Sequence, residues 1–220
     1  DAETPKEALQ RFSAKLRHWD RAVTARDYEE LAMEAVRGLK KVRCFGGKNE
    51  QGEKEKGAVT LVVMPNQEQM SQSQICSVQE TIYQYISTRM DPGILERKQF
   101  YIIAPKLAEV KVVAEVIVES FQDVFHVRRK IQKKIEAFLD PMKGHFDGEG
   151  WEIGQFPNVM QIQNVIKDVT EVVQIQKVYF VTFINGAKGR QEVNLEVICR
   201  HPYILPISGT HEVSVMVQDL

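Results

Sequence analysis

The residues of this sequence that could do metal chemistry are concentrated in one glycine-containing stretch, His145-Phe146-Asp147-Gly148-Glu149. An imidazole and two carboxylates in such a loop could ligate a cation. The spacing matches no calcium-binding loop, and the helix and strand context of a known metal motif is missing. A solvated turn is therefore the preferred interpretation, and we expect no metal and no cofactor.

Motifs for nucleophilic catalysis and nucleotide binding are equally weak. The three cysteines, Cys44, Cys76 and Cys199, are far apart and form no CxxC or zinc-finger spacing, which is typical of reduced, partly buried thiols. The charged, glycine-rich stretch from Gly46 to Gly57 resembles part of a phosphate loop, but neither Gly-Lys-Ser/Thr nor a helix follows it. It is better interpreted as a hairpin loop. With no GxSxG, HExxH or GxGxxG in the sequence, we expect neither an enzyme nor a small-molecule substrate.

Two predicted helix faces carry residue types that are common in protein interfaces. A helix predicted to begin at Thr4-Pro5-Lys6-Glu7 presents an apolar stripe, and a later helix presents a basic face that includes Lys130 and Lys134. The ordinary interpretations are that the apolar stripe packs on its own domain and that the basic face is the solvent-exposed side of its helix. Partner contact is the alternative, because Phe and Trp are typical interface anchors. The candidate partner contacts are Phe12, Leu16, Trp19, Arg128, Arg129 and Lys133.

The totals exclude several classes of protein. The chain has 220 residues, with 29 Lys and Arg against 30 Asp and Glu, for a net charge of -1. Near-neutrality argues against nucleic acid as the main partner. No run of about 18 apolar residues occurs, so no membrane span is expected. Because the chain begins at Asp1 with neither an initiator Met nor a signal peptide, we interpret it as a fragment of a longer protein.

Hydrophobic periodicity predicts an α+β protein built from two small sandwiches, each a mixed or antiparallel sheet with helices on one face. The predicted domains are a leading helix and linker over residues 1–22, a first subdomain over 23–106 and a second over 107–220. In the first subdomain, Thr24 and Asp27 predict a capping box, and Val23 is expected to staple against Tyr28. Its predicted elements are a helix over 25–38, strands over 41–45 and 58–64, a helix over 75–90 and a strand over 100–104.

In the second subdomain, alternating valines predict a long strand that ends at Val118, and Asn158 predicts a helix cap. Trp151 to Gly154 is expected to be a short extended piece. The remaining predicted elements are a helix over 124–138, strands over 172–183 and 191–199 around a hairpin turn, and a last strand over 212–217.

Several stretches together resemble the baseplate J-like family of contractile phage tails and extracellular injection systems. Leu16 to Leu31 is similar to the family's "RAVT..DYE.L" stretch, and Gly57 to Asn66 is similar to its "G.V.V.V.P" strand. Tyr101 to Val116 resembles its "V..P....V.V...V" pattern. Phe138-Leu139-Asp140-Pro141 and Trp151-Glu152-Ile153-Gly154 resemble its "FL.P...W.FG" region, with Met142 where that family often has Trp.

The resemblance implies the C-terminal part of a baseplate wedge protein, which acts by assembly and not by catalysis. The implied partners are other wedge and hub proteins in a hetero-oligomer. The implied setting is synthesis in the bacterial cytoplasm, followed by incorporation into a phage virion or tail-like particle. Alternatives are a small-molecule-binding or regulatory α+β module, an enzyme whose site combines distant residues, and nucleic-acid binding through the basic helix face.

Overall fold

The computed structural model of the protein describes residues 19–65, 72–119, 124–186 and 189–217. The chain divides into two compact units, Asp1–Pro105 and Lys106–Leu220. Each unit contains one sheet with helices packed against it, which confirms the predicted α+β class. The leading helix predicted to begin at Thr4, together with Phe12 and Leu16, lies outside the described residues.

The first unit is built on a three-stranded sheet whose central strand is β2, antiparallel to β1 and parallel to β3. The turn between β1 and β2 is formed by Asn49, whose side-chain oxygen accepts from the N–H groups of Gln51 and Glu53. Both strands therefore extend into the stretch predicted as loop. The elements are α1 (Ala25–Ala35), β1 (Leu39–Lys48), β2 (Lys54–Pro65), α2 (Gln72–Ser87), α3 (Pro92–Glu96) and β3 (Phe100–Ile103).

Helix α1 begins where the sequence predicts and fixes the core of the first unit. Asp27 N–H donates to Thr24 Oγ1 at 3.3 Å and Thr24 N–H donates to Asp27 Oδ2 at 2.7 Å, which confirms the capping box. The predicted staple is wrong, because Val23 is 74% exposed while Tyr28 is buried. Helices α1 and α2 bury one cluster with the sheet, which includes Tyr28, Leu31, Ala32, Leu61, Val63, Ile82, Ile86 and Phe100.

The second unit is built around strand β4, which has a different arrangement on each side. Strand β5 runs antiparallel to it along one side and continues into a hairpin with β6. On the other side, β7 pairs with Lys106–Val110 and β8 pairs with Val113–Val118, both parallel to β4. The elements are β4 (Lys106–Val118), α4 (Val124–Phe138), α5 (Val159–Lys167), β5 (Val172–Gly186), β6 (Gly189–Glu192), α6 (Leu195–Arg200), β7 (Ile204–Ser208) and β8 (Glu212–Val217).

Strict alternation along β4 decides which face of the second sheet is covered. Every second residue from Ala108 to Val118 is at most 1% exposed, whereas the residues between them are partly exposed. Helix α4 contacts β8, α5 contacts β5, and the two helices contact each other. The buried helix residues include Val127, Ile131, Ile135, Ile162 and Ile166. Removing these apolar side chains from water is the main stabilising contribution to this unit.

The strand predicted over residues 191–199 is wrong. Strand β6 ends at Glu192, and the Asn194 side chain then accepts from the Glu196 N–H at 2.9 Å, which caps helix α6. The alternation of Val193, Leu195 and Val197 is typical of a strand, yet Val197 is 61% exposed. The buried residue is Ile198, one helical turn after the cap, so tertiary burial decides against the local pattern.

Strand β7 was not predicted, because Pro202 and Pro206 look like strand breakers. Lys106 N–H donates to the Tyr203 carbonyl at 2.8 Å, so odd-numbered residues of this stretch direct their polar groups towards β4. The nitrogen of Pro206, which has no hydrogen to donate, faces away from β4. Proline is tolerated at such an outer edge because no ladder hydrogen bond is lost.

The Trp151 to Gly154 stretch, predicted as a short extended piece, forms no strand, and Ile153 and Gly154 lie in a turn. Trp151 is buried, and its Nε1–H donates to the Phe138 carbonyl at 2.8 Å, at the end of α4. Gly154 has φ of 87° and its N–H donates to the Ile204 carbonyl at 2.7 Å. The turn therefore ties the end of α4 to the outer edge of β7.

Candidate functional site

Trp19, the candidate contact nearest the start of the described residues, lies in a turn held against the end of α2. Trp19 and Asp20 have φ of 48° and 59°, which is uncommon for residues other than glycine. The Asp20 carboxylate lies 2.9 Å from the Arg89 guanidinium, and Ala22 N–H donates to the Arg89 carbonyl at 2.9 Å. Arg89 in turn lies 3.8 Å from the centroid of the Tyr85 ring. These contacts hold the backbone at Asp20 and Ala22, immediately after Trp19.

The indole of Trp19 is 79% exposed, so the turn holds a large apolar ring in solvent. A tryptophan on a fixed backbone loses little conformational entropy when a partner covers it, which suits an interface anchor. Phe12 and Leu16, the other members of the predicted stripe, lie outside the described residues.

The five cations of α4 fall into two groups. Lys130 Nζ lies 2.7 and 2.9 Å from the two Glu171 carboxylate oxygens, and this hydrogen bond lowers the pKa of Glu171 to about 2. Lys134 Nζ donates to the Asp168 carbonyl at 2.9 Å. These two lysines fold back onto the second unit. The other three cations project from α4 into solvent, without an ion pair in the part of the chain that the structure describes: Arg128, Arg129 and Lys133.

Phe125 enlarges this basic face and was not identified from the sequence. It is 82% exposed and precedes Arg129 by one helical turn, so the two side chains share the outer face of α4. The sequence did carry a signal, because Phe125 falls outside the buried stripe of Val127, Ile131 and Ile135. The face thus combines cations with one aromatic ring. It belongs to the second unit, whereas Trp19 belongs to the first.

His145, in the loop predicted as a solvated turn, has a structural role. His145 packs edge-on against the buried Trp151, with ring centroids 4.9 Å apart. Its Nδ1 lies 3.1 Å from Asp147 Oδ2. The Glu149 backbone N–H donates to the Asp147 carboxylate, which is the main reason that the pKa of Asp147 is lowered. Among the described residues, no group of three or more His, Cys, Asp or Glu side chains is placed to hold a metal ion.

All three cysteines are free thiols in the described structure. Cys44 is partly buried, and burial raises the pKa of its thiol to about 12. Burial also raises the pKa of Cys199. The prediction of partly buried thiols is wrong for Cys76, which is exposed on α2. Cys199 is exposed as a residue on α6, although its sulfur is partly shielded from solvent. Raised thiol pKa values oppose the thiolate form that nucleophilic chemistry needs.

An open depression of about 300 Å³ lies between α2 and β3. Gln79 crosses it, and its side-chain N–H donates to the Ile102 carbonyl at 2.9 Å. Small-molecule sites usually bury most of the ligand surface. A ligand here would remain largely in water, so the depression gives little support to the small-molecule alternative. Its lining is Cys76, Gln79, Glu80, Tyr83 and Ile102.

His211 completes the ladder of β4 in the gap between β7 and β8. Val112 N–H donates to His211 Nδ1 at 3.1 Å, and Gly209 N–H donates to the Val110 carbonyl at 3.0 Å. Because Nδ1 accepts, the neutral ring carries its proton on Nε2, which lies 3.0 Å from Ser208 Oγ. Burial lowers the pKa of His211 to about 4. No local sequence pattern signals this role, since His211 and Val112 are far apart along the chain.

Within the described part of the chain, no helix has the length and apolar character that a membrane crossing requires.

Comparisons with known proteins give a structural relationship without a sequence relationship. No protein-family model matches the chain. No curated protein matches it either. Among solved structures, a chain of the anti-feeding prophage baseplate, determined by cryo-EM and 6-fold symmetrised, superposes with a TM-score of 0.57 at 16% sequence identity. The match covers 94% of this chain and 42% of that one, so this protein spans about two fifths of its neighbour's length. At this identity the likeness shows a shared fold.

Proposed function

We propose that this chain is a structural part of a contractile-tail baseplate, within a wedge protein, and that it acts by assembly and not by catalysis. The observation that carries the proposal is the match of 94% of this chain to a baseplate protein. The resemblance of Leu16 to Leu31 and of Trp151 to Gly154 to the baseplate J-like family supports the narrower assignment.

The residues of that resemblance have structural roles in the described fold, as a scaffold requires. Thr24 and Asp27 cap α1, and Tyr28 is buried in the core of the first unit. Trp151 and Gly154 tie the end of α4 to β7. The pKa shifts of His211 and Cys44 also oppose reactivity, since His211 stays neutral and the Cys44 thiol stays protonated at neutral pH. These observations support a role without catalysis.

The exposed Trp19 and the basic face of α4, formed by Phe125, Arg128, Arg129 and Lys133, are the surfaces that we propose for contact with other wedge and hub proteins. The combination of Phe125 with arginines on α4 is typical of the centre of a protein interface. With a net charge of -1, the chain has no cationic excess for nucleic acid. The proposed setting is a phage virion or tail-like particle, assembled in the bacterial cytoplasm.

The test is co-expression of the full-length parent protein with the genes encoded beside it, followed by native mass measurement of the purified complexes. We expect a stoichiometric hetero-oligomer that contains other tail proteins. A matched expression without the neighbouring genes separates true partners from proteins of the host. A lone monomer in both preparations, with no sheath or spike genes nearby, would contradict the proposal.

A further inference from the structure

A stretch of β5 lies at the edge of the second sheet without a partner strand. β5 pairs with β4 from Val172 to Ile184, but with β6 only from Phe183 to Gly186. Val193 adds one more contact, at Thr182, before the chain turns into α6. Within the described residues no other strand lies on this side of β5, so residues 175–181 form an open edge.

The direction of the backbone groups along this edge follows from the hydrogen bond at Thr182. Val193 N–H donates to the Thr182 carbonyl at 2.9 Å, so the polar backbone groups of Thr182 point away from β4. In an antiparallel ladder the N–H and C=O of one residue point to the same side, and successive residues alternate. The register between Thr182 and Lys177 is unbroken. Phe180 and Val178 therefore direct outward N–H and C=O groups that pair with no strand of the described chain.

We infer that this edge receives an extended segment of another protein, which adds a strand to the sheet beside β5. The inference rests on the proposed function, because it assigns one contact of the assembling subunit. Unpaired strand groups are complementary to an extended backbone, and this is a common mode of peptide recognition. Buried backbone groups also need partners, so an added strand satisfies both chains at once.

The side chains along the edge define the chemistry of that segment. Val178 and Phe180 are partly buried on the face that the helices cover, whereas Lys177 and Tyr179 are exposed on the opposite face. The Lys177 ammonium lies 5.0 Å from the Tyr179 ring centroid and makes no ion pair with the described residues. The segment should therefore alternate apolar and polar residues, with an Asp or Glu opposite Lys177.

Lys177 also argues that the occupant is a different protein and not a second copy of this chain. A twofold antiparallel pairing centred on Val178 would place two Lys177 side chains on one face as diagonal neighbours. Like charges at such positions are repulsive, and a lysine in an edge strand is a common device against self-association. A partner segment with a carboxylate opposite Lys177 is instead attracted to its ammonium group.

Amide hydrogen exchange on the wild-type chain, alone and in its co-purified complex, tests the strand addition. We expect the Val178 and Phe180 amides to exchange at least roughly tenfold more slowly in the complex. The Lys177 and Tyr179 amides face β4 and are protected in both samples, which provides an internal control. Unchanged exchange at Val178 and Phe180 in a complex that has formed would contradict the strand addition.

A matched pair of variants tests the same contact through the backbone. Val178→Pro removes the outward N–H and leaves the ladder to β4 intact, whereas Val178→Ala shortens the same side chain and keeps the N–H. With both folded by circular dichroism, we expect Val178→Pro to lower the yield of complex at least roughly tenfold relative to Val178→Ala. Equal yields would overturn the inference. Lys177→Glu, which changes no backbone group, should weaken the complex by a comparable factor at low salt.

The outcomes separate this inference from the proposed function. A complex with tail proteins in which the edge stays unprotected contradicts the strand addition alone. A chain that associates with no tail protein contradicts both. A homodimer that forms without partners and is dissociated by Val178→Pro contradicts the choice of a different protein as the occupant.

Discussion

At the scale of single residues, His211 shows how a side chain can complete a sheet where the backbone does not. Strand β4 changes partner between Val110 and Val113, so no strand carbonyl accepts the Val112 N–H. The His211 imidazole accepts this hydrogen bond instead. The ring serves this role only when it is neutral, because a protonated Nδ1 would repel the Val112 N–H. The joint between β7 and β8 therefore depends on the protonation state of one residue.

This dependence predicts a loss of stability in mild acid. The pKa of His211 is about 4 in the folded chain, against an ordinary value of 6.5, and the charge of Glu109 offsets only part of the effect of burial. As the pH falls from 6.5 to 4, the unfolded chain binds a proton that the folded chain does not, so the free energy of unfolding falls. We expect a loss of roughly 1 to 3 kcal/mol over this window, measured by urea unfolding at several pH values.

The control for this prediction is a variant of an exposed histidine. His126→Ala should keep the same pH dependence, because His126 is exposed on α4. His211→Ala should be less stable at pH 7 and should lose this component of the pH dependence. A wild-type pH profile in His211→Ala would show that other groups cause the acid sensitivity.

Gly144 is a second residue whose importance comes from packing. A Cβ at this position would lie 2.2 Å from the Phe138 carbonyl oxygen and 2.4 Å from that of Asp140. Gly144→Ala must therefore displace the end of α4, and we expect it to lower the free energy of unfolding by at least about 2 kcal/mol. Gly38→Ala is the matched control, since nothing lies within 4 Å of the position that its new Cβ would occupy. The control should change stability by less than about 0.5 kcal/mol, and equal effects in denaturant unfolding would contradict the prediction.

At the scale of elements, local capping chemistry made some boundaries predictable. Thr24 with Asp27, and Asn158 with Gln161, form capping boxes in the folded chain, because each pair lies three residues apart and needs no distant contact. The long alternation before Val118 likewise identified β4, since one of its faces is buried throughout.

The cap of α1 gives a prediction at this scale. Thr24→Ala removes the oxygen that accepts the Asp27 N–H, and we expect a loss of about 1 kcal/mol in the free energy of unfolding. Thr81→Ala is the control, because Thr81 lies within α2, and its exposed hydroxyl bonds the Ser77 carbonyl of the same helix. Chemical unfolding of both variants checks the prediction. A Thr24→Ala effect no larger than that of the control would mean that packing alone fixes the start of α1.

Elements whose identity depends on distant partners could not be predicted in the same way. The residues around Asn194 alternate like a strand but form α6, because Ile198 finds a buried site one turn after the cap. Pro206 looked like a breaker, yet it lies in β7 because its nitrogen faces the outer edge. In both cases the outcome depends on contacts with residues far along the chain, through the burial of Ile198 and through the pairing of β7 with β4. The role of His211 was inaccessible for the same reason.

At the scale of the whole molecule, the surfaces matter more than any pocket. Sequence patterns identified Trp19 and three cations of α4 as candidate partner contacts but could not supply their partners, because an interface is specified jointly by two chains. The open edge of β5 has no local sequence pattern, because it is defined by how strands far apart in the chain pair. The fold class, by contrast, followed from periodicity alone, because each element must bury one apolar face.

Trp19 allows a test in which assembly and stability separate. Its side chain is 79% exposed, so Trp19→Ala should change the free energy of unfolding by less than about 0.5 kcal/mol. If it anchors a partner, the same variant should weaken the complex by at least about 2 kcal/mol, roughly thirtyfold in affinity. Val23→Ala, which shortens a neighbouring apolar residue that is 74% exposed, is the control. Equal affinities for the two variants, measured on the purified complex, would exclude Trp19 as an anchor.

The tandem pairing of β7 and β8 with β4 has a consequence for how the chain folds. Val113 must find Glu212, about a hundred positions later, before one side of the central strand is closed. The first unit closes its β1–β2 hairpin between near neighbours. Loop-closure entropy therefore delays the second unit relative to the first. During that delay one edge of β4 stays unpaired, and an unpaired strand edge readily pairs with other chains, so aggregation is most favoured in this interval.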